Sequence, residues 1–119
     1  MRAEDAGAAG GILKMKVQIN SDHSVVIDGH LSDAVESSVT ETLKHLEDRI
    51  TRVEVHLSDV NGNKGGNDDK RCMMEARPAG QKPVAVTDEA ATVEEAVHGA
   101  ANKLKRLLDH HFERLEQRA

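Results

Sequence analysis

The chain has 119 residues, a formal net charge of −5 and a hydrophobic fraction of 38%, which suits one folded domain with a modest core. Its one Phe, Tyr or Trp residue is Phe112, so a surface that binds RNA by stacking bases on aromatic rings is nearly excluded. The negative charge argues against a protein that coats nucleic acid by bulk charge, and the single cysteine, Cys72, cannot form an internal disulfide.

Residues 1–14 are rich in Ala and Gly and show no hydrophobic period. We therefore expect a flexible leader at 1–14, followed by a single domain at 15–119. The sequence shows neither a secretory hydrophobic region nor an apolar run long enough to cross a bilayer. We expect a cytoplasmic protein with no membrane partner.

The domain is predicted to begin with a strand and a helix. Met15, Val17 and Ile19 alternate with polar residues, which is the period of a half-buried strand. Ser32 then stands where it can cap a helix, and negative charge follows in the first turn, where the helix dipole favours it. Apolar residues continue at helical spacing as far as Ile50, so we expect a helix of about four turns that ends near residue 48.

Three more strands are predicted after this helix. A stretch rich in Gly, Asn and Asp at 61–69 predicts a long hairpin loop between the second and third strands, and residues 78–83 predict the next turn. The alternating apolar positions are Val53, Val55 and Leu57 in the second strand, Cys72, Met74 and Ala76 in the third, and Val84 and Val86 in the fourth.

The longest predicted helix spans Thr92 to Arg118. Thr92 and Glu95 form a T-x-x-E capping box at its start. Apolar positions recur at three- and four-residue steps on one side, namely Val93, Ala96, Val97, Ala100, Leu104, Leu107, Leu108, His111 and Leu115. Roughly a quarter-turn away lies a cationic edge, made of Lys103, Arg106, His110 and Arg114.

The predicted order of elements is β-α-β-β-β-α. Each strand and each helix is apolar on one side only, so both helices can cover the same face of the sheet. The sequence therefore predicts an α+β two-layer sandwich, with two helices on one face of a four-stranded sheet and the other face polar.

Metal binding and catalysis find little support in the sequence. The loop that starts at Asp59 begins like a calcium-binding loop, but Lys64 and Lys70 stand where that motif needs glycine and a chelating glutamate. His110 and His111 point about 100° apart on a helix, so they cannot share one metal ion without a third element. No nucleophile and base, and no pair of acids, stand out. We expect no metal, no cofactor, no small-molecule substrate and no enzymatic activity.

Four segments together resemble the ribosome hibernation factors, the family of the ribosome-associated inhibitor and the hibernation-promoting factor, also called the sigma-54 modulation family. They agree in order and spacing, and the resemblance covers Met15 to about Leu115. The segments are LSDAV at 31–35, LKHLEDRI at 43–50, AV at 96–97 and KLKRLL at 103–108.

This resemblance implies a short, bacterial, cytoplasmic protein that responds to stress by binding the small ribosomal subunit where messenger and transfer RNA would lie. Inhibition of translation would come from occupancy alone. The resemblance also implies contacts to ribosomal RNA through basic residues on the helical side, and the family's second-helix pattern K-L-x-R-x-L-x-K falls on Lys103, Leu104, Arg106, Leu108 and, with a change, His110. We expect Lys103, Arg106 and Arg114 to contact phosphates, with His110, Lys105, Lys44 and Arg49 as further candidates. The chain departs from the family in its acidic first helix and in having Glu94 where an aromatic residue is usual.

Other interpretations stay open from the sequence. The cationic edge could be an ordinary solvated face, because neighbouring carboxylates make the helix nearly neutral. The domain could instead bind a basic protein through its acidic first helix or its polar sheet face. An enzyme or a metal-binding protein is the third class. The sequence does not give the oligomeric state, although an open strand edge would permit dimers.

Overall fold

A computed structural model describes residues 15–60 and 69–118 of the chain. The predicted leader and most of the predicted hairpin loop lie outside these residues. The order of elements within them is the predicted one, with one additional 3₁₀ helix. The elements are β1 (Lys16–Ser21), α1 (Gly29–Thr42), the 3₁₀ helix (Lys44–Arg49), β2 (Ile50–Asp59), β3 (Lys70–Pro78), β4 (Val84–Ala90) and α2 (Val93–Arg118).

The four strands form one mixed sheet in the order β1-β2-β3-β4. β1 runs parallel to β2, with Val17 opposite Val53, so α1 is the crossover between them. β2, β3 and β4 are antiparallel neighbours, and Met74 lies between Val55 and Val86. This register places the alternating apolar residues of all four strands on one face.

Both helices cover that apolar face. Val35 and Val39 of α1 and Leu104 and Leu108 of α2 are at most 1% exposed, and they belong to one cluster with the inward residues of the sheet. The other face of the sheet carries polar residues, so the α+β two-layer sandwich is confirmed. No helix in the described ranges is long and apolar enough to cross a membrane.

The first helix starts and ends earlier than the sequence predicts. Its N-cap is Asp28, whose carboxylate accepts from the N–H of Leu31 at 2.8 Å, so the prediction of Ser32 as the cap is wrong. The helix ends at Thr42, and the chain continues as a 3₁₀ helix, in which the N–H of Leu46 donates to the carbonyl of Leu43. Apolar steps of three and four residues suit both helix types, which is why periodicity merged them.

The last helix begins as predicted. The hydroxyl of Thr92 accepts from the N–H of Glu95 at 3.1 Å. Its buried side differs in detail, because Phe112 and Ala101 are in the core whereas His111 is only half-buried. The buried stripe is therefore rotated slightly from the predicted one, away from His111 and towards Phe112.

Candidate nucleic-acid interface

The cationic edge lies along the exposed side of the C-terminal half of α2. Lys103, Arg106, His110 and Arg114 are all exposed. Their spacing of three and four residues brings them onto one strip because a helix turns every 3.6 residues. The structure thus brings together the four residues that the sequence grouped, but only Lys103 and His110 have a carboxylate within ion-pair distance among the described residues.

Lys103 is tied to the edge strand of the sheet. Its Nζ lies 2.8 Å from Oδ1 of Asp88 and donates to the carbonyl of Thr87 at 2.9 Å. Asp88 fits here because Gly99 of α2 has no side chain, and a Cβ at that position would lie 2.0 Å from Oδ2 of Asp88. The charge of Lys103 is therefore largely balanced within the protein, and its ammonium group anchors α2 to β4.

Arg106 and Arg114 have no ion pair within the described part of the chain. They are eight residues apart, which is about 12 Å along a helix. His110 lies between them, with its Nδ1 3.7 Å from Oε1 of Glu113. Each guanidinium offers several N–H donors in a planar fork that matches two phosphate oxygens. These two arginines are the side chains of the strip best placed to meet an anion.

The other predicted contacts lie nearer the opposite side of α2, along its contact with α1 and the 3₁₀ helix. Arg49 Nη1 is 3.1 Å from Oε2 of Glu116, and its guanidinium carbon is 3.8 Å from the centre of the Phe112 ring. Arg49 thus connects the 3₁₀ helix to α2 through an ion pair and a ring contact. Lys44 is exposed and has no ion pair in the described ranges.

Lys105 belongs to a second set of ion pairs, centred on Asp109. Oδ1 of Asp109 lies 2.9 Å from Nε2 of His45, and Oδ2 lies 3.4 Å from Nζ of Lys105. Partial burial alone would raise the pKa of Asp109. The hydrogen bonds and positive charges of His45 and Lys105 outweigh burial, so the pKa of Asp109 lies below its ordinary value. Lys105 and Arg49 therefore both have structural partners.

A second group of cations lies on the polar face of the sheet. The strand register aligns Lys16, Arg52 and Arg77 in one row across β1, β2 and β3. Glu54 balances part of this row, because its Oε2 lies 3.1 Å from Nη2 of Arg52 and 3.9 Å from Nε of Arg77. Sequence alternation reveals that these residues point to solvent, but only the strand pairing shows that they are neighbours.

Lys70 pairs with carboxylates at both ends of the stretch that begins like a calcium-binding loop. Nζ of Lys70 is 3.0 Å from Oδ2 of Asp59 and 3.1 Å from Oδ1 of Asp69. Its hydrogen bonds, first to Asp59 and then to Asp69, raise the pKa of Lys70 and keep it charged. Among the residues that the structure describes, no group of three His, Cys, Asp or Glu side chains could hold a metal ion.

Comparison with known proteins identifies related sequences and folds. The model of the family described as "Sigma 54 modulation protein / S30EA ribosomal protein" matches residues 17–116. No curated protein matches the chain significantly.

Solved structures share the fold, two of them over more than four-fifths of this chain. The N-terminal domain of Protein Y from Thermus thermophilus matches with a TM-score of 0.62 and 19% identity, over 82% of this chain and 98% of that one. A ribosomal subunit interface protein from Coxiella burnetii matches with a TM-score of 0.64 and 15% identity, over 83% of this chain and 99% of that one. At these identities the likeness shows the architecture alone.

Proposed function

Because the chain belongs to the sigma-54 modulation protein / S30EA ribosomal protein family, we propose that it is a ribosome hibernation factor that works in the cytoplasm. In this proposal it docks on ribosomal RNA of the small subunit and inhibits translation by occupying the site, without catalysing a reaction. The observation that carries the RNA contact is the pair of exposed arginines on α2, Arg106 and Arg114, that lack an ion pair within the described residues.

Two arginines can hold an acidic protein on RNA because phosphate contacts act locally. Salt screens charges beyond about 8 Å at physiological ionic strength, so carboxylates farther away oppose the contact only weakly. Each neutralised phosphate releases counterions, which makes the affinity fall as salt rises. With few phosphates involved, we expect a shallower salt dependence than that of strongly basic RNA-binding proteins.

The proposed roles differ among the predicted residues. Arg106 and Arg114 would make the main phosphate contacts, and His110 between them would add a positive charge when protonated. Lys44 would contribute from the neighbouring 3₁₀ helix. Lys103, Lys105 and Arg49 would contribute less, because each of them already has a carboxylate partner within the protein.

Charge reversal of the two arginines tests the proposal. We expect Arg106→Glu/Arg114→Glu to weaken ribosome binding, measured by co-sedimentation in sucrose gradients. The affinity should fall by at least about tenfold for each arginine, because a charged hydrogen bond is lost at each site. Lys103 is left unchanged, since reversal there would also place two negative charges together at Asp88.

The matched control is Lys16→Glu/Lys82→Glu, which changes the net charge by the same amount. Lys16 lies on the polar face of the sheet and Lys82 in the turn between β3 and β4, and both are exposed. This control should bind ribosomes nearly as wild type does. Equal losses in both variants would mean that the contact is not specific to α2, whether bulk charge or the cation row that includes Lys16 is the cause, and unchanged binding of the arginine variant would remove the site from α2.

A further inference from the structure

A groove with an apolar floor lies between α1 and the first two turns of α2. Its volume is about 270 Å³, and its floor includes Ala34, Val35 and Val97. Ala34 is exposed in this floor, and Val35 and Val97, which are 1% and 2% exposed, are held beneath it by the core. Across the groove, Oγ of Ser38 lies 3.3 Å from Nδ1 of His98, which joins the two helices at this point.

The two helices run side by side in the same direction. One segment is α1 with the 3₁₀ helix that follows it, and the other is α2. Their contacts move towards the C-terminus in both segments, from Ser38 with His98 to His45 with Asp109. Towards the C-terminal ends of the two segments, ion pairs close the contact. At the first two turns of α2, where the groove lies, the contact is open.

The charge of the open part is not balanced within the described residues. Glu41 on the α1 side and Glu94 on the α2 side line the groove, and neither makes an ion pair in the described ranges. The sequence of α1, GHLSDAVESSVTET, contains no lysine or arginine, and the first turn of α2 is acidic. By contrast, the carboxylates of the closed part have partners. Asp109 faces His45 of the 3₁₀ helix and Lys105 of α2, and Glu116 faces Arg49 of the 3₁₀ helix.

We propose that the groove binds an arginine or lysine side chain from a basic segment of a partner polypeptide. The aliphatic stem of such a side chain would cover the apolar floor while its charged end reaches the carboxylates of Glu41 and Glu94. A phosphate-bearing partner does not fit this chemistry, because both carboxylates would repel it. The proposal does not depend on ribosome binding through the cationic edge.

The test uses two labelled peptides and two variants of the full chain. The first peptide alternates arginine and serine, and the second has citrulline, a neutral analogue of arginine, at every arginine position. We expect the arginine peptide to bind wild type in a fluorescence anisotropy assay and the citrulline peptide to bind much more weakly. Glu41→Gln/Glu94→Gln should reduce the affinity about fivefold, as expected from two exposed ion pairs.

The control variant is Asp48→Asn/Glu113→Gln, which removes the same charge from exposed positions outside the groove. It should bind the arginine peptide as wild type does. Equal weakening by both variants, or equal binding of the two peptides, would overturn the proposal.

Two further measurements keep the result interpretable. Thermal unfolding of Glu41→Gln/Glu94→Gln should stay close to that of wild type, because both side chains are exposed and make no ion pair in the described ranges, so that only the helix-dipole contribution of Glu94 in the first turn of α2 is lost. Ribosome co-sedimentation of this variant should also be unchanged. Failure of the groove proposal is therefore distinguishable from failure of RNA docking through the arginines.

Discussion

Gly99 shows how one residue can connect a sheet to a helix. A glycine inside a helix is about 1 kcal/mol less favourable than alanine, so its presence in α2 needs a structural reason. The reason is Asp88, whose carboxylate occupies the space where a side chain would begin. From there Asp88 reaches Lys103 at 2.8 Å, which joins β4 to α2.

A double-mutant cycle between Gly99 and Asp88 tests this arrangement. Gly99→Ala alone should yield less than the stabilisation of about 1 kcal/mol expected from helix propensity, because the new Cβ displaces Asp88 from Lys103. In an Asp88→Ala background the full gain should appear. Urea unfolding should therefore give a coupling energy of at least about 0.5 kcal/mol. An identical effect of Gly99→Ala in both backgrounds would contradict this explanation.

At the scale of elements, the contact between α2 and the 3₁₀ helix depends on charged side chains as well as on apolar packing. Asp109 binds His45 of the 3₁₀ helix and Lys105 of its own helix. The folded protein therefore holds the pKa of Asp109 below its unfolded value. A lowered pKa means that the carboxylate stabilises the fold when the pH is above the unfolded value, and that this contribution disappears as the pH falls through the folded value.

We expect Asp109→Asn to be less stable than wild type at pH 7, and the difference to shrink as the pH drops below the ordinary value of 3.8. Urea unfolding at a series of pH values measures both proteins. Asp48→Asn is the matched control, since Asp48 is exposed and has no ion pair in the described residues. A stability difference for Asp109→Asn that stays constant into acid would show that charge is not the cause.

The elements were predictable where a single local pattern decides them. Strands such as β1 alternate strictly, and α2 carries both a cap at Thr92 and a continuous apolar stripe, so their types follow from the sequence. The end of α1 did not follow, because the apolar step from Leu43 to Leu46 suits either helix type. Its cap at Asp28 competes with Ser32, and both are good capping residues.

Which cations of the candidate site have partners within the protein was less predictable than which residues form the site. Helical spacing alone identified the strip that contains Lys103 and Arg106. The pairing of Lys103 with Asp88, and the position of Arg49 over Phe112, depend on how separate elements pack together. No periodicity within one element carries that information, so sequence reasoning could not tell paired cations from unpaired ones.

At the scale of the whole molecule, Cys72 reports on the integrity of the core. It lies on the inward side of β3 and is 0% exposed. Burial, together with the nearby charge of Asp88, raises the pKa of the Cys72 thiol to about 12. A buried thiol that stays protonated is a poor nucleophile.

Iodoacetamide should therefore label Cys72 at pH 8 only when the fold opens. We expect negligible labelling of the native protein and rapid labelling in urea, with a midpoint that matches global unfolding. A Ser37→Cys/Cys72→Ser variant provides an exposed thiol on α1 as the control. Labelling of native Cys72 at the control's rate would show that the sheet opens locally near β3.

The uneven distribution of charge over the helical layer gives the described part of the molecule an electric dipole. Its negative pole lies at α1 and the start of α2, and its positive pole lies towards the end of α2, where Arg106 and Arg114 are exposed. Near a polyanion, such a dipole experiences a torque that turns the positive pole forward. In the proposed docking on RNA, this torque would turn the end of α2 towards the RNA before the first contact forms, and raising the salt concentration should slow association more than it speeds dissociation.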